Sequence, residues 1–159
     1  MIFLITLLAA LYMGWSMGSN DAANCVGADI GSGDMKLEHG IIITCFFSLL
    51  GAILLGSNVI KTIGKGVVPI NLLPKEKADL IALTSLLGAA IWVTIATYKK
   101  FPVSTSHSIV GAVWGVGLLH GIKAVNLKLF RDIVFAWAFT PVVSGIITYA
   151  VLSFILILK

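Results

Sequence analysis

From Gly40 to Ile60 the chain runs without a single charged side chain, and that stretch fixes its solvent. About 20 helical residues cross a hydrocarbon layer of ~30 Å. In lipid every backbone N–H and C=O must be satisfied by protein, so only helices or closed barrels span. The apolar runs Met1–Ser16, Leu80–Tyr98, Ile109–Leu119 and Ile133–Leu158 repeat the pattern at helical rather than strand length. Of 159 residues 58% are hydrophobic and 11% charged, against about 45–50% and about 25% in soluble domains. The expected class is an all-α integral membrane protein. No Pro/Ser-rich linker or charge block divides it, so residues 1–159 are read as one transmembrane domain. Its spans are expected at about 2–28, 40–60 and 133–158, with a hairpin over 80–119.

A net charge of +4 raises the question of nucleic acid. Here the basic residues fall in short connections between apolar runs, where the positive-inside rule explains them, and they form no interleaved aromatic-basic surface. Nucleic acid is excluded as a partner. Cys25 and Cys45 both sit in apolar segments, well apart, and read as small buried side chains rather than a metal site or disulfide. The first run lacks a basic start and a small-residue cleavage pattern, so it counts as a span and not a signal peptide.

Polar residues interrupt the apolar text at two places. The first is Gly18-Ser19-Asn20-Asp21-Ala22-Ala23-Asn24-Cys25-Val26-Gly27, with Gly31 and Gly33 close behind. An intramembrane carboxylate costs several kcal/mol in lipid unless it faces protein or a water-filled cavity, and marks a functional site by default. The glycines suggest a broken first helix. Asn20, Asp21 and Asn24 are hard oxygen ligands suited to a small cation; alternatively Asp21 carries a proton, or the run is a helix cap. The second place is Ser104-Thr105-Ser106-His107-Ser108, led by Pro102 and followed by the apolar run to Leu119. Hydroxyls and free N–H groups at a helix N-terminus form an anion site; a capping run with an interfacial histidine is the plainer reading. Ile109–Leu119 is too short to cross a bilayer, which favours a re-entrant hairpin that turns at 102–108. Two spans joined at the surface by Lys99-Lys100 is the competing arrangement.

An anion beside a carboxylate needs a cation or proton between them, so the pair of nodes points to cation-coupled anion transport rather than a bare channel. The connections 61–79 and 120–132 carry seven Lys and Arg residues, Pro69 and Pro74 lying in the first. Lys36, Lys99, Lys100 and Lys159 make four at most on the other face. The seven-charge face is therefore assigned to the cytoplasm. Either hairpin reading gives an odd number of crossings, so a second fused copy would enter the membrane inverted, as inverted-repeat transporters require. Pro141 is placed to kink the last span. The GxxxG pairs Gly14/Gly18, Gly27/Gly31, Gly111/Gly115 and Gly117/Gly121 are assigned to helix packing.

At these two nodes the sequence resembles the inorganic phosphate transporter (PiT) family. GSNDAANCVGADIGSG is similar to its G-x-N-D-x-A-N signature, and PVSTSHSIVGAVWGVG to its P-V-S-T-T-H-x-x-V-G signature. The resemblance implies two inverted repeats in a plasma membrane, each with a re-entrant hairpin, around a site for phosphate and a coupling Na⁺ or H⁺, with no other cofactor. It implies Asp21 and Asn24 at the coupling cation, and Asn20, Ser104, Thr105, Ser106 and His107 at the substrate. Ser106 stands where Thr is usual, and Ala28-Asp29 where small hydroxyl residues are common. Each signature occurs once, so the chain reads as one repeat of a transporter, completed by a homologous half-subunit or, less simply, a second copy of itself. Rival readings are a sulfate or other oxyanion permease on the same scaffold, and a non-transporting membrane subunit. A hydrolase built on Ser104, His107 and Asp21 lacks a G-x-S-x-G elbow, and no enzyme is expected.

Overall fold

A computed structural model describes residues 2–68, 75–119, 121–122 and 125–158; Pro69, Pro74, His120, Lys123 and Lys159 lie outside the described residues. Among the described residues the chain is helical: α1 (Ile2–Ser32), α2 (Leu37–Lys61) continued by a π-helical turn (Thr62–Val67), α3 (Lys75–Tyr98), α4 (Thr105–Leu119) and α5 (Leu127–Leu158). α1, α2, α3 and α5 are long and apolar enough to cross a membrane, and α4 is not. Contacts divide the chain into two units, 1–125 and 126–159, where the sequence reads as one domain.

The first unit is built on α1 and α3. Buried positions Ala9, Met13, Ser16 and Asn20 recur along one stripe of α1, at the three- and four-residue spacing of a helix face. Met13 packs on Ala89, Ala90 and Val93 of α3, flanked by Tyr12, Leu86, Val103, Ile109 and Ala112. Small residues on α3 permit this close approach, which supplies the van der Waals contact that lipid-embedded helices rely on. Tyr12 and Ser16 meet Thr94, whereas Asn20 meets Thr97 and Phe101, so the two helices run parallel. α4 folds back antiparallel along α3: Val116 and Leu119 near its end share a groove with Lys77, Leu80, Ile81 and Thr84 near the start of α3.

α1 is continuous, which corrects the expectation of a broken helix: Gly14, Gly18, Gly27 and Gly31 lie inside it. A helical glycine costs about 1 kcal/mol relative to alanine, whereas opening a helix in lipid strands backbone groups at several kcal/mol each. The helix stops at Gly33, whose φ of 85° takes the left-handed conformation that glycine adopts without strain, and Met35 N–H closes the turn on Asp29 C=O at 3.0 Å. α2 then returns antiparallel to α1. A Cβ at Gly40 would lie 3.0 Å from Ile30 and 3.2 Å from Val26, so this glycine sets the helix approach.

Two further expectations need correcting. Among the described residues, Cβ atoms added at Gly14, Gly18, Gly27, Gly31, Gly111 and Gly115 meet nothing within 4 Å, so within the first unit those GxxxG faces do not pack helices together. Of the paired glycines, Gly117 alone is filled against, by Val68 and Val125. Cys25 and Cys45 are exposed rather than buried, because an apolar side chain facing lipid needs no protein cover. In the second unit α5 is capped by Asn126, whose Oδ1 accepts the Leu129 N–H at 3.0 Å. It continues through Pro141 and buries none of its residues.

Gly117→Ala would place its methyl 2.6 Å from Val68 Cγ2 and 2.9 Å from Val125 Cγ2, and branched valines cannot swing aside. It is expected to destabilise by about 1–3 kcal/mol through overpacking. Gly115→Ala, in open space, is expected to be neutral or to raise Tm. Thermal unfolding of both variants in nanodiscs measures the difference.

Candidate functional site

The hairpin turn is docked on α1 by one carboxamide. Asn20, 5% exposed, donates through Nδ2 to Thr97 Oγ1 at 2.8 Å and to Phe101 C=O at 3.2 Å, and its Oδ1 accepts Val103 N–H at 3.3 Å. That uses three of the four hydrogen-bonding positions of an amide side chain. Deeper along the same stripe, Thr94 Oγ1 lies 2.9 Å from both Tyr12 Oη and Ser16 Oγ, while Thr97 Oγ1 donates to Val93 C=O. A ladder of hydroxyls thus joins α1 to α3 and ends at Asn20.

Asp21 is one residue on, about 100° round the helix, and so faces the start of α4 instead. Thr105 Oγ1 donates to Asp21 Oδ2 at 3.0 Å. Thr105 is the first residue of α4, and its predecessor Ser104 is the cap: Ser104 Oγ accepts His107 N–H at 3.2 Å, and Ser104 C=O accepts both Ser108 N–H and Ser108 Oγ–H. Asp21 therefore sits at the positive end of the α4 dipole, an arrangement worth about 0.3–1 kcal/mol.

α3 ends in a Schellman turn. Phe101 N–H bonds Ala96 C=O at 2.8 Å and Lys100 N–H bonds Thr97 C=O at 2.9 Å, which places Lys100 at the left-handed position usually given to glycine. Its φ is 61°. Between this turn and α1 lies a cleft of about 370 Å³, lined by Ser19, Asn20, Ala23, Asn24, Thr97, Lys100, Phe101 and Pro102.

Of the residues singled out from the sequence, the structure joins Asp21 to Thr105 directly and Asn20 to the turn between α3 and α4. It gives Ser104 to the α4 cap, leaves Ser106 and His107 exposed, and sets Asn24 in the cleft beside Asn20. Asp21 is not among the cleft's lining residues, so the two residues proposed for a cation have different surroundings. Among the described residues no three His, Cys, Asp or Glu side chains gather as a metal cluster. Sequence reasoning passed over Thr94, Thr97 and Lys100; the first two are isolated hydroxyls in an apolar run, and the third read as a loop charge.

The phosphate transporter family model matches residues 17–159. A Pyrococcus furiosus protein bearing a phosphate permease name is 36% identical over 94% of this chain and 37% of its own length. The inorganic phosphate transporter 2-1, chloroplastic, of Arabidopsis thaliana is 34% identical over 92% of this chain and 25% of its own. A solved structure described as the sodium-dependent phosphate transporter superposes with a TM-score of 0.92 at 37% identity, covering 97% of this chain and 39% of that one. The chain thus spans about a quarter to two-fifths of the relatives it matches.

Asn20→Ala removes partners from Phe101 C=O, Val103 N–H and Thr97 Oγ1 together. The expected cost is about 1–3 kcal/mol, from part-buried backbone groups of the turn left without their partner. Asn24→Ala, at an exposed position, is expected to stay within about 0.5 kcal/mol. Thermal unfolding in nanodiscs reads both, and equal losses would show that Asn20 is no bracket.

Proposed function

This chain belongs to the phosphate transporter family, and from that premise we propose that it is one repeat of a cation-coupled inorganic phosphate transporter of the plasma membrane. The carrying observation is the 3.0 Å hydrogen bond between Thr105 and Asp21, which unites the two polar nodes at one place. The chain is a multi-pass membrane protein, and the levels of its helices support a re-entrant hairpin. Gly40, where the charge-free run of α2 begins, meets Val26 and Ile30 of α1. Asp21 lies nine residues before Ile30, about 14 Å deeper at 1.5 Å per residue. At the opposite end Gly117 of α4 lies by Val68, just past α2 and its π-helical extension. Thr105 is twelve residues from Gly117, about 18 Å. The Asp21–Thr105 pair thus sits near the middle of the ~30 Å that the uncharged part of α2 spans.

On this reading phosphate is held at the N-terminus of α4 by backbone N–H groups and by the hydroxyls of Thr105 and Ser106, with His107 beside them. Ser104 contributes through its cap. Asp21, with Asn24 one turn on, offers hard oxygen ligands to Na⁺, or Asp21 takes H⁺. The neighbour described as sodium-dependent supports Na⁺. Asn20 acts indirectly, by fixing the turn. A homologous repeat, supplied by the same or another chain, covers the open side; the greater length of the relatives supports it.

Radiolabelled phosphate binding to the chain in nanodiscs tests this, with Na⁺ or choline as the cation and sulfate as competitor. Wild type is expected to bind phosphate more tightly in Na⁺ and to resist equal sulfate. Thr105→Ala is expected to weaken phosphate about tenfold, Thr105→Ser much less, and Asp21→Asn to abolish the sodium effect. Equal displacement by sulfate would move the chain to the broader oxyanion class.

A further inference from the structure

We propose that Lys100 makes the cleft between α1 and the hairpin turn a receiving site for the phosphate oxyanion, separate from the Thr105–Asp21 pair. The inference rests on the phosphate reading above and adds to it a residue and a second station for the substrate.

Three observations converge on this lysine. The first is where it lies. Ser19, Asn20, Asn24 and Thr97 give the cleft hydroxyl and carboxamide groups, and Lys100 is the only charged side chain among its described lining residues. No carboxylate is among those described residues, so their lining is cationic and matched to an anion.

The second is the backbone. Lys100 occupies the left-handed position of the Schellman turn at φ 61°, where glycine fits without strain and a lysine does not. A residue that breaks a local rule is offset either locally or by a gain in function. The local gain on offer is attraction between the ammonium and the carbonyl end of α3, and it can be tested separately.

The third is the absence of a counter-ion. Lys100 forms no ion pair among the described residues; the pair seen there is Arg131 with Asp132. Its backbone is level with Asn20, through the Phe101–Asn20 bond, well inside the span of α2. A lysine at that depth is tolerated where it faces water or meets an opposite charge. The cleft supplies the water, and a phosphate dianion supplies the charge.

The test is phosphate binding and thermal unfolding of the full chain in nanodiscs for Lys100→Gly, Lys100→Gln and Lys100→Arg. Lys100→Gly relieves the backbone and is expected to raise Tm while weakening phosphate about tenfold, the scale of one charge-assisted contact. Lys100→Gln is expected to weaken it equally, and to flatten the dependence of Kd on ionic strength. Lys100→Arg is expected to bind within threefold of wild type. If Lys100→Gly binds phosphate as tightly as wild type, the lysine serves only the helix end; the proposal is overturned and the phosphate reading stands. If wild type itself binds no phosphate in Na⁺, the phosphate reading fails and carries this proposal with it.

Discussion

Where the chain turns from α3 into α4, the backbone groups that the turn releases need partners, and α1 supplies two of them from a single side chain. Phe101 presents a carbonyl and Val103 an N–H toward α1, and Asn20 answers both. Only a carboxamide carries donors and an acceptor on one rigid plane; an aspartate would lack the donor, and a serine would lack the reach. The position of α4 follows from this contact, because the turn it fixes leads within two residues to the first helical residue, Thr105. Asp21 then meets Thr105 as a matter of helix geometry, being the next residue round α1 from the one that holds the turn. The polar contacts of the node are thus divided: Asn20 holds the turn and Asp21 meets the start of α4.

The rest of the α1–α3 seam follows a similar economy. Hydrogen bonds between membrane helices average only about 0.6 kcal/mol, since the separated helices also find partners. The Tyr12–Thr94–Ser16 and Asn20–Thr97 contacts therefore contribute modestly to the total. What they do is specify register. Met13 against Ala89, Ala90 and Val93 would tolerate a slide of one turn, since one small apolar surface is much like another. A slide would strand the hydroxyls and remove Asn20 from the turn. Packing drives the association and the polar ladder selects one alignment.

Much of this was legible in the sequence, and the reasons are physical. Asp21 and the Ser104–Ser108 run stand out because charged and clustered polar groups are costly in lipid, so their presence is informative. The helical class and the shortness of α4 follow from the same cost applied to the backbone. Other features carry no such signal. Thr94 and Thr97 sit alone in an apolar run, and a lone hydroxyl can satisfy itself on the carbonyl four residues back, as Thr97 does on Val93. Asn20 reads as a ligand because nothing local reveals that the chain returns to it some eighty residues later. The glycines of α1 look like breaks because their cost was weighed without the greater cost of breaking. The GxxxG faces misled because glycine spacing records where an approach is possible, and whether anything approaches depends on elements the motif does not contain.

The Asp21–Thr105 bond also bears on why a cation and an anion would be linked on the proposed reading. The N-terminus of α4 favours negative charge, and in this structure the nearest carboxylate already uses it through Thr105. A phosphate entering beside that carboxylate meets a repulsion of roughly 4 kcal/mol per unit charge at 4 Å and an effective dielectric of 20. Thr105 also has one hydroxyl proton, so it donates either to Asp21 or to phosphate. A sodium ion or proton on Asp21 resolves both conflicts together: it cancels the repulsion and frees the hydroxyl to turn to the anion. Linkage then requires the reverse, that phosphate tighten the cation by the same factor. Coupling on this account needs no moving part beyond one threonine rotamer.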